Sequence, residues 1–387
     1  MSVAKRFSVE QRRARLGRRH LLASSAKDPV AVARGLVAVH STDPASVFMS
    51  VAARSGWSPP DPLEHALYQD RSLVRILGMR RTLFVVPADV VPIIHAACTR
   101  AIAARERRRL VKMVEDAGIV TEGSRWVRRV ERATLDALFD RGEAATAELS
   151  KDVPELRAQI LYGAGKKWEG TFSMGTRIAW LLAMDARIVR SRPRGTWLSS
   201  QYRWRPMEPF EESSADEARA TLVRLWLRAF GPGTVQDVKW WTGWSLGEAR
   251  KAVAAAGAVE VDLDGRPGVA LGEDLRAVPA PKPWAALLPS LDATVMGWSE
   301  RDWYLGPHRS ALFDRAGNAG PTVWWNGRVV GGWGQRPDGE IAFQLLEEVG
   351  KDAGAAIEKQ AARLGAWLGD VRISPRFATP LQRDLSA

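Results

Sequence analysis

TLVRLWLRAFGPGTVQDVKWWTGWSLGEARKAVAAAGAVEVDL, residues 221–263, decides how this chain is read. The stretch breaks into three helical runs. Gly231-Pro232-Gly233-Thr234 separates the first from the second, Thr242-Gly243-Trp244-Ser245 separates the second from the third, and the chain then enters a strand. Helix, helix, helix, strand is the order of a winged-helix unit, here starting near Asp216.

The same order recurs towards the N-terminus. Residues 133–139, 143–154 and 170–190 supply a second helical trio. The apolar third helix then turns abruptly into SRPRGTWLSSQYRW, residues 191–204, where Arg190, Arg192, Arg194, Trp197, Tyr202, Arg203 and Trp204 surround a turn at Pro193 and Gly195. A basic, aromatic hairpin is what the wing of a DNA-binding unit needs. Before it, AIAARERRRLVKMVED, residues 101–116, reads as a polar, arginine-rich helix bridging two units.

A first repetition opens the chain. Residues 9–25 predict a basic helix with Arg12, Arg15 and Arg19 on one face. A second helix starts at Pro29 after Asp28 and is expected to end near His40. A third apolar segment, residues 46–56, closes at Gly56 before the WSPPDP turn. LVRILGMRRTLFVVP, residues 73–87, reads as a helix end, a basic turn and a strand.

From about Pro279 the pattern changes to strands. Asn326-Gly327 and Asp338-Gly339 each suit a two-residue type I′ hairpin turn, a helix at residues 349–368 would cover the sheet, and VRISPRF, residues 371–377, reads as a terminal strand. The expected fold class is therefore mainly α with small β elements, α+β. Tandem winged-helix units form a C-shaped molecule with a C-terminal β-rich element covered by a helix. The boundaries run 1–125, 126–212, 213–275 and 276–387.

Composition narrows the partners. The chain has 387 residues, a formal net charge of +12 and arginine as its main base, so a polyanion is the natural ligand. One cysteine allows no internal disulfide, and five scattered histidines show no zinc spacing, so neither metal nor cofactor is expected. No segment is apolar enough to span a membrane, and the charged start lacks an apolar core of the signal-peptide kind. The expectation is a cytoplasmic, nucleoid-associated monomer on double-stranded DNA.

The motifs RxxRL…RRHLL, GLVAVHSTDP, MRRTLFVVPAD, FGPGTVQDVKWWTGWSLGEAR, LLPSLDATVMGWSERDW and PTVWWNGRVVGGW, in this order, resemble the AlkZ-type winged-helix DNA glycosylases over nearly the whole chain. The resemblance implies three winged helices in a C shape and monofunctional excision of alkylated or cross-linked purines. It also exposes a departure. Where members of that family carry Gln, an apolar residue, then Gln or Asp, this chain has His40, Ser41 and Thr42.

Hydrolysis at an alkylated purine starts from a cationic leaving group, so the protein need only position a water and steady an oxocarbenium ion. Neutral His40 can accept the water proton, Thr42 can hold the water, and Asp43 can favour the cation. Each has a plainer use: His40 as the end of the second helix, and Thr42 or Asp43 as an N-cap before Pro44. Arg80, Arg81 and Thr82 at the base of the first wing, with Arg190, Arg192, Arg194, Trp197 and Arg203 on the second, are the candidate DNA contacts. Most of the seventeen tryptophans are assigned to the core, and His20, His65, His95 and His308 to packing or surface. Two other readings remain open: a relative that binds without cutting, and a transcription regulator that reads a palindrome as a dimer.

Overall fold

The structure, a computed structural model, describes residues 4–162, 165 and 169–387. Strand β1 (Lys5–Arg6) leads into α1 (Val9–Arg19), which begins where the Ser8 hydroxyl accepts from the Gln11 amide. The basic face of α1 points inward rather than to solvent. Arg15, 1% exposed, pairs with Asp274 at 2.6 Å, Arg19 shares that carboxylate, and Arg12 lies 4.1 Å over the Trp303 ring.

Helix α2 (Pro29–Gly35) starts as read, with Asp28 capping the Ala31 amide and Pro29 at the first position. It stops short of His40. Val37 takes φ +62, which a helix cannot contain, and the chain turns into strand β2 (Val39–His40). Then come α3 (Pro44–Ala52) and α4 (Asp61–Tyr68); the latter falls where the sequence suggests only a turn, yet it buries Leu63, Ala66 and Leu67. Strand β3 (Leu73–Leu77), expected as a helix end, forms a hairpin with β4 (Leu83–Pro87) across a 3-10 turn at Met79–Arg81. All five residues of β3 are buried, so its sequence lacks strand alternation and mimics a buried helix. The sheet order is β2-β4-β3.

A short helix α5 (Val91–Ile94) passes through a π-helical turn at His95–Thr99 into α6 (Arg100–Asp116), which packs on the second unit as the bridging reading requires. That unit comprises α7 (Gly123–Arg141), α8 (Thr146–Asp152), a hairpin of β5 (Gln159–Tyr162) and β6 (Gly170–Ser173), α9 (Met174–Met184), and strands β7 (Ile188–Arg190) and β8 (Trp204–Pro206). Helix α7 begins ten residues before the expected Ala133, because Trp126, Val127 and Val130 give its arginine-rich half a buried face. The third unit is α10 (Ala215–Phe230), α11 (Val235–Thr242), α12 (Leu246–Ala255), β9 (Ala258–Asp262) and β10 (Pro267–Leu271), the order read from residues 221–263. Strand β1 adds to β9 in parallel.

One detail ties the three repetitions together. After α2, α7 and α10, one or two residues pair with a later strand: Val39 and His40 with Val85 and Phe84, Ala144 with Trp204, and Gly233 with Val269. The next helix, α3, α8 or α11, starts within four residues of that pairing.

The C-terminal sheet has the order β11 (Ala285–Leu288), β12 (Thr322–Trp325), β13 (Arg328–Gln335), β14 (Ile341–Leu345), with helices α13 (Asp302–Leu305) and α14 (Arg309–Leu312) between its first two strands. Asn326 at φ +48 and Gly327 at φ +83 form the two-residue turn that their sequence calls for. At the second hairpin only Gly339 is left-handed, and Arg336 pairs with Glu340 around a longer loop. Helix α15 (Lys351–Leu368) covers β11, β12 and β14 as expected. Residues 371–377 are irregular rather than a strand, since Pro375 and the Gln335 side chain, which donates to the Val371 carbonyl and accepts from the Ile373 amide, hold them outside the ladder, and α16 (Pro380–Leu385) then packs on β13.

The fold is thus mainly helical with small sheets, α+β. Its largest core joins Trp226, Trp298 and Trp324, all at most 2% exposed, with side chains from α1, the first hairpin and α10 to α12. A second core serves the second unit. Beside the first lies a buried ion pair. Arg54 and Asp292, both 0% exposed, meet at 2.8 Å and tie the end of α3 to the segment after β11. Ser50 and the Thr294 amide also donate to Asp292, and the His20 ring, stacked on Trp298, sits 2.9 Å from the Thr294 hydroxyl.

Candidate nucleic-acid interface

Strand β2 ends at His40, and residues 41–43 join it to α3. His40, 8% exposed, lies edge-on to Phe84 at 5.4 Å, and its Nδ1 has no partner. Burial, with the nearby Arg80 charge adding to it, presses its pKa down to about 3. The ring is therefore a neutral imidazole throughout the physiological range. It cannot cap α2, which ends before it. The Ser41 amide donates to the Leu83 carbonyl at 2.8 Å, and its buried hydroxyl has no partner. Thr42 is half-buried, and its carbonyl accepts from Arg376 at 2.6 Å.

Asp43 occupies the N-cap position of α3, as the capping reading expects, but its side chain receives no backbone amide there. One carboxylate oxygen accepts from the Ser46 hydroxyl at 2.8 Å instead. The equivalent junctions of the other units are closed. Thr234 and Asp237 cap each other reciprocally, with Asp237 fully buried, and the Ala145 amide donates to Glu148 at 2.7 Å.

Arg80 is less free than a phosphate contact would be. It sits at φ +54 in the 3-10 turn, 4.1 Å over Trp240 of α11, while Arg301 lies 4.5 Å from the same ring. Burial, then repulsion from Arg301, lowers its pKa to about 10. A Cβ at Gly243 would come within 2.8 Å of the Arg80 side chain, so this glycine permits the close approach. Arg80 hence clamps the first hairpin to the third unit. Arg81 is half exposed and pairs with Glu106 at 2.8 Å, and Thr82 closes the turn through its amide to Met79.

On the second hairpin, Arg190 stacks 4.3 Å over Tyr202, whose ring also carries Arg75 at 4.9 Å. Burial depresses the Arg190 pKa to about 10, and the charges of Arg75 and Arg376 contribute. Arg190, Arg75 and Arg376 thus lie within reach of one another's charge, and Arg376 reaches the Thr42 carbonyl. Arg192 pairs with Glu64, Arg194 with Glu148, and Arg203 with Glu143. Trp197 is not a free groove-facing ring: it packs between Phe48 of α3 at 5.0 Å and Trp367 of α15 at 5.6 Å. It holds the second hairpin against the first unit and the C-terminal helix.

Sequence reasoning missed Arg75, Arg301, Trp240 and Arg376. Arg75 offers a signal, being the one charge in an apolar strand; Arg376 lies in a segment whose residues suggest a strand that does not form. Among the described residues no cluster of three or more metal-ligating side chains exists, and no helix is long and apolar enough to cross a membrane.

The class defined by this fold and by the arginines around its hairpins is an α+β protein of small sheets and many helices. The model of the AlkZ-like DNA glycosylases matches residues 33–367, and the chain belongs to that family. An interstrand DNA cross-link repair glycosylase of Streptomyces sahachiroi is 32% identical over 171 residues, 42% of this chain and 46% of that protein, so the match spans less than half of the relative. The solved DNA glycosylase AlkZ of the same organism superposes with a TM-score of 0.73 over 96% of this chain and all of its own; at 22% identity this is a likeness of fold.

Proposed function

We propose that the protein is a monofunctional DNA N-glycosylase acting on alkylated or cross-linked purines in duplex DNA. Its three helix-and-hairpin units are read as winged helices set around a C-shaped cleft, and His40, Thr42 and Asp43 carry the chemistry. The observation that carries this reading is the uncapped junction: a neutral imidazole with an unpartnered Nδ1, next to a carboxylate that closes no backbone amide.

In this mechanism His40 and Thr42 hold a water against C1′. The glycosidic bond breaks, its electron pair returns to the cationic purine, and the purine leaves neutral. The water oxygen bonds to C1′ and its proton passes through the imidazole to solvent, while Asp43 stabilises the oxocarbenium ion. Arg190 and Arg376 steady the phosphates beside Thr42, and Arg81 those near the first hairpin. No metal or cofactor takes part, and a monomer suffices.

A binding-only relative is the second reading, favoured by the burial of His40 and Ser41, which narrows water access. The deciding experiment uses duplex DNA with one N7-methylguanine and scores alkali-labile breaks against a His40→Ala control. Breaks that require His40 support excision. Tight binding without breaks, there and on bulkier or cross-linked lesions, supports the second reading.

A further inference from the structure

Away from the His40 loop, α6, α7 and the turn after α9 enclose a groove of about 690 Å³. Six guanidinium groups line it: Arg107, Arg125, Arg128, Arg129, Arg132 and Arg187. Three carboxylates share the lining, and two of them, Glu131 and Asp185, are both engaged by Arg107. This leaves Asp136 against five arginines.

The arginines of α7 fall at positions i, i+3, i+4 and i+7, one exposed face of the helix, rising about 10 Å from first to last. Arg125 and Arg129 reach carboxylates outside the groove only at 3.5 and 3.4 Å, both near the surface. Arg128 donates to the Ser124 hydroxyl, while the side chains of Arg132 and Arg187 have no hydrogen-bond or ion-pair partner among the described residues. Like charges gathered in a concavity repel one another, and an array of phosphates relieves that repulsion. Arg187 directly precedes β7, whose other end is Arg190; three residues apart on a strand, the two side chains face opposite sides, so the groove is a site of its own.

We infer that this groove is a second DNA contact, holding the phosphate backbone of the duplex away from the lesion, with Arg128, Arg132 and Arg187 as its main charges. The inference rests on the DNA reading above. Its chemistry is sequence-independent, since exposed guanidinium groups on a helix face meet phosphates and no base edge.

The test is the salt dependence of binding to an undamaged 40-base-pair duplex, measured by fluorescence anisotropy. The triple substitution Arg128→Gln, Arg132→Gln, Arg187→Gln should lower the slope of log K against log salt by about 2 to 3, roughly 0.9 for each phosphate that is no longer neutralised. Lysine at the same three positions should restore it, because the interaction needs charge rather than a fixed fork. A wild-type slope in a folded glutamine variant overturns the groove and leaves the DNA reading standing; loss of the slope that lysine does not restore marks a structural role and overturns it as well. Absence of DNA binding by the wild-type protein removes both.

Discussion

Asp292→Ala is the substitution that strains this fold most directly. It deletes the carboxylate that pairs with Arg54 and leaves a guanidinium at 0% exposure with neither water nor a counter-charge. The Ser50 hydroxyl and the Thr294 amide lose their acceptor at the same time. Breaking a buried pair from one side costs about 3–5 kcal/mol, a large part of the roughly 5–15 kcal/mol that holds a typical protein folded. Urea unfolding at pH 7, followed by tryptophan fluorescence and far-UV circular dichroism, reads the loss, with two probes because several cores need not melt together. The control removes both charges: Arg54→Met with Asp292→Leu should be milder than Asp292→Ala, since no orphan charge remains. A loss below about 1 kcal/mol for Asp292→Ala, or a double variant worse than the single one, would refute the view that this pair locks α3 to the C-terminal segment.

Four further outcomes are expected. His40→Ala should abolish excision, while His40→Gln, which restores the side chain carried by the resembling family, should retain it; equal loss in both assigns His40 to packing. Because the folded His40 pKa is about 3, the excision rate should show no inflection near pH 6.5, and a clear one there transfers the chemistry to another group. His20, likewise pressed down to about 3 by burial, makes the unfolded chain the better proton acceptor below about pH 6.5, so its stabilising share is complete above that value and lost as pH falls towards 3, measurable as a falling urea midpoint. Arg81→Ala should lower the salt slope of DNA binding by about 1, whereas Arg80→Ala should mainly lower the melting temperature by freeing the first hairpin from Trp240; the reverse pattern would show that Arg80 faces DNA.

Much of the architecture is legible because punctuation residues enforce it. Gly243, left-handed at φ +79, stops α11 where TGWS predicts, and Asn326-Gly327 sets its turn. The segments whose sequence misleads share a cause: burial on every side removes periodicity. Strand β3 and the His40 strand carry the same apolar residues as a core helix, and only their pairing with β4 separates the two. The candidate site is half legible. His40 ends β2 and Thr42 and Asp43 follow it before α3, but sequence spacing cannot foresee that Arg376, more than three hundred residues away, donates to Thr42. Nor can it separate an arginine facing solvent from one lying over an indole, as Arg80 does.

The three junctions that follow α2, α7 and α10 carry a broader consequence. The same local arrangement, a helix followed by a short strand pairing and a second helix, occurs three times, and its helix starts are not closed alike. Thr234 with Asp237 and Ala145 with Glu148 each close a helix start, whereas Asp43 closes none. The Asp43 carboxylate is therefore the one of the three that can be exchanged without taking a backbone cap from the helix that follows it.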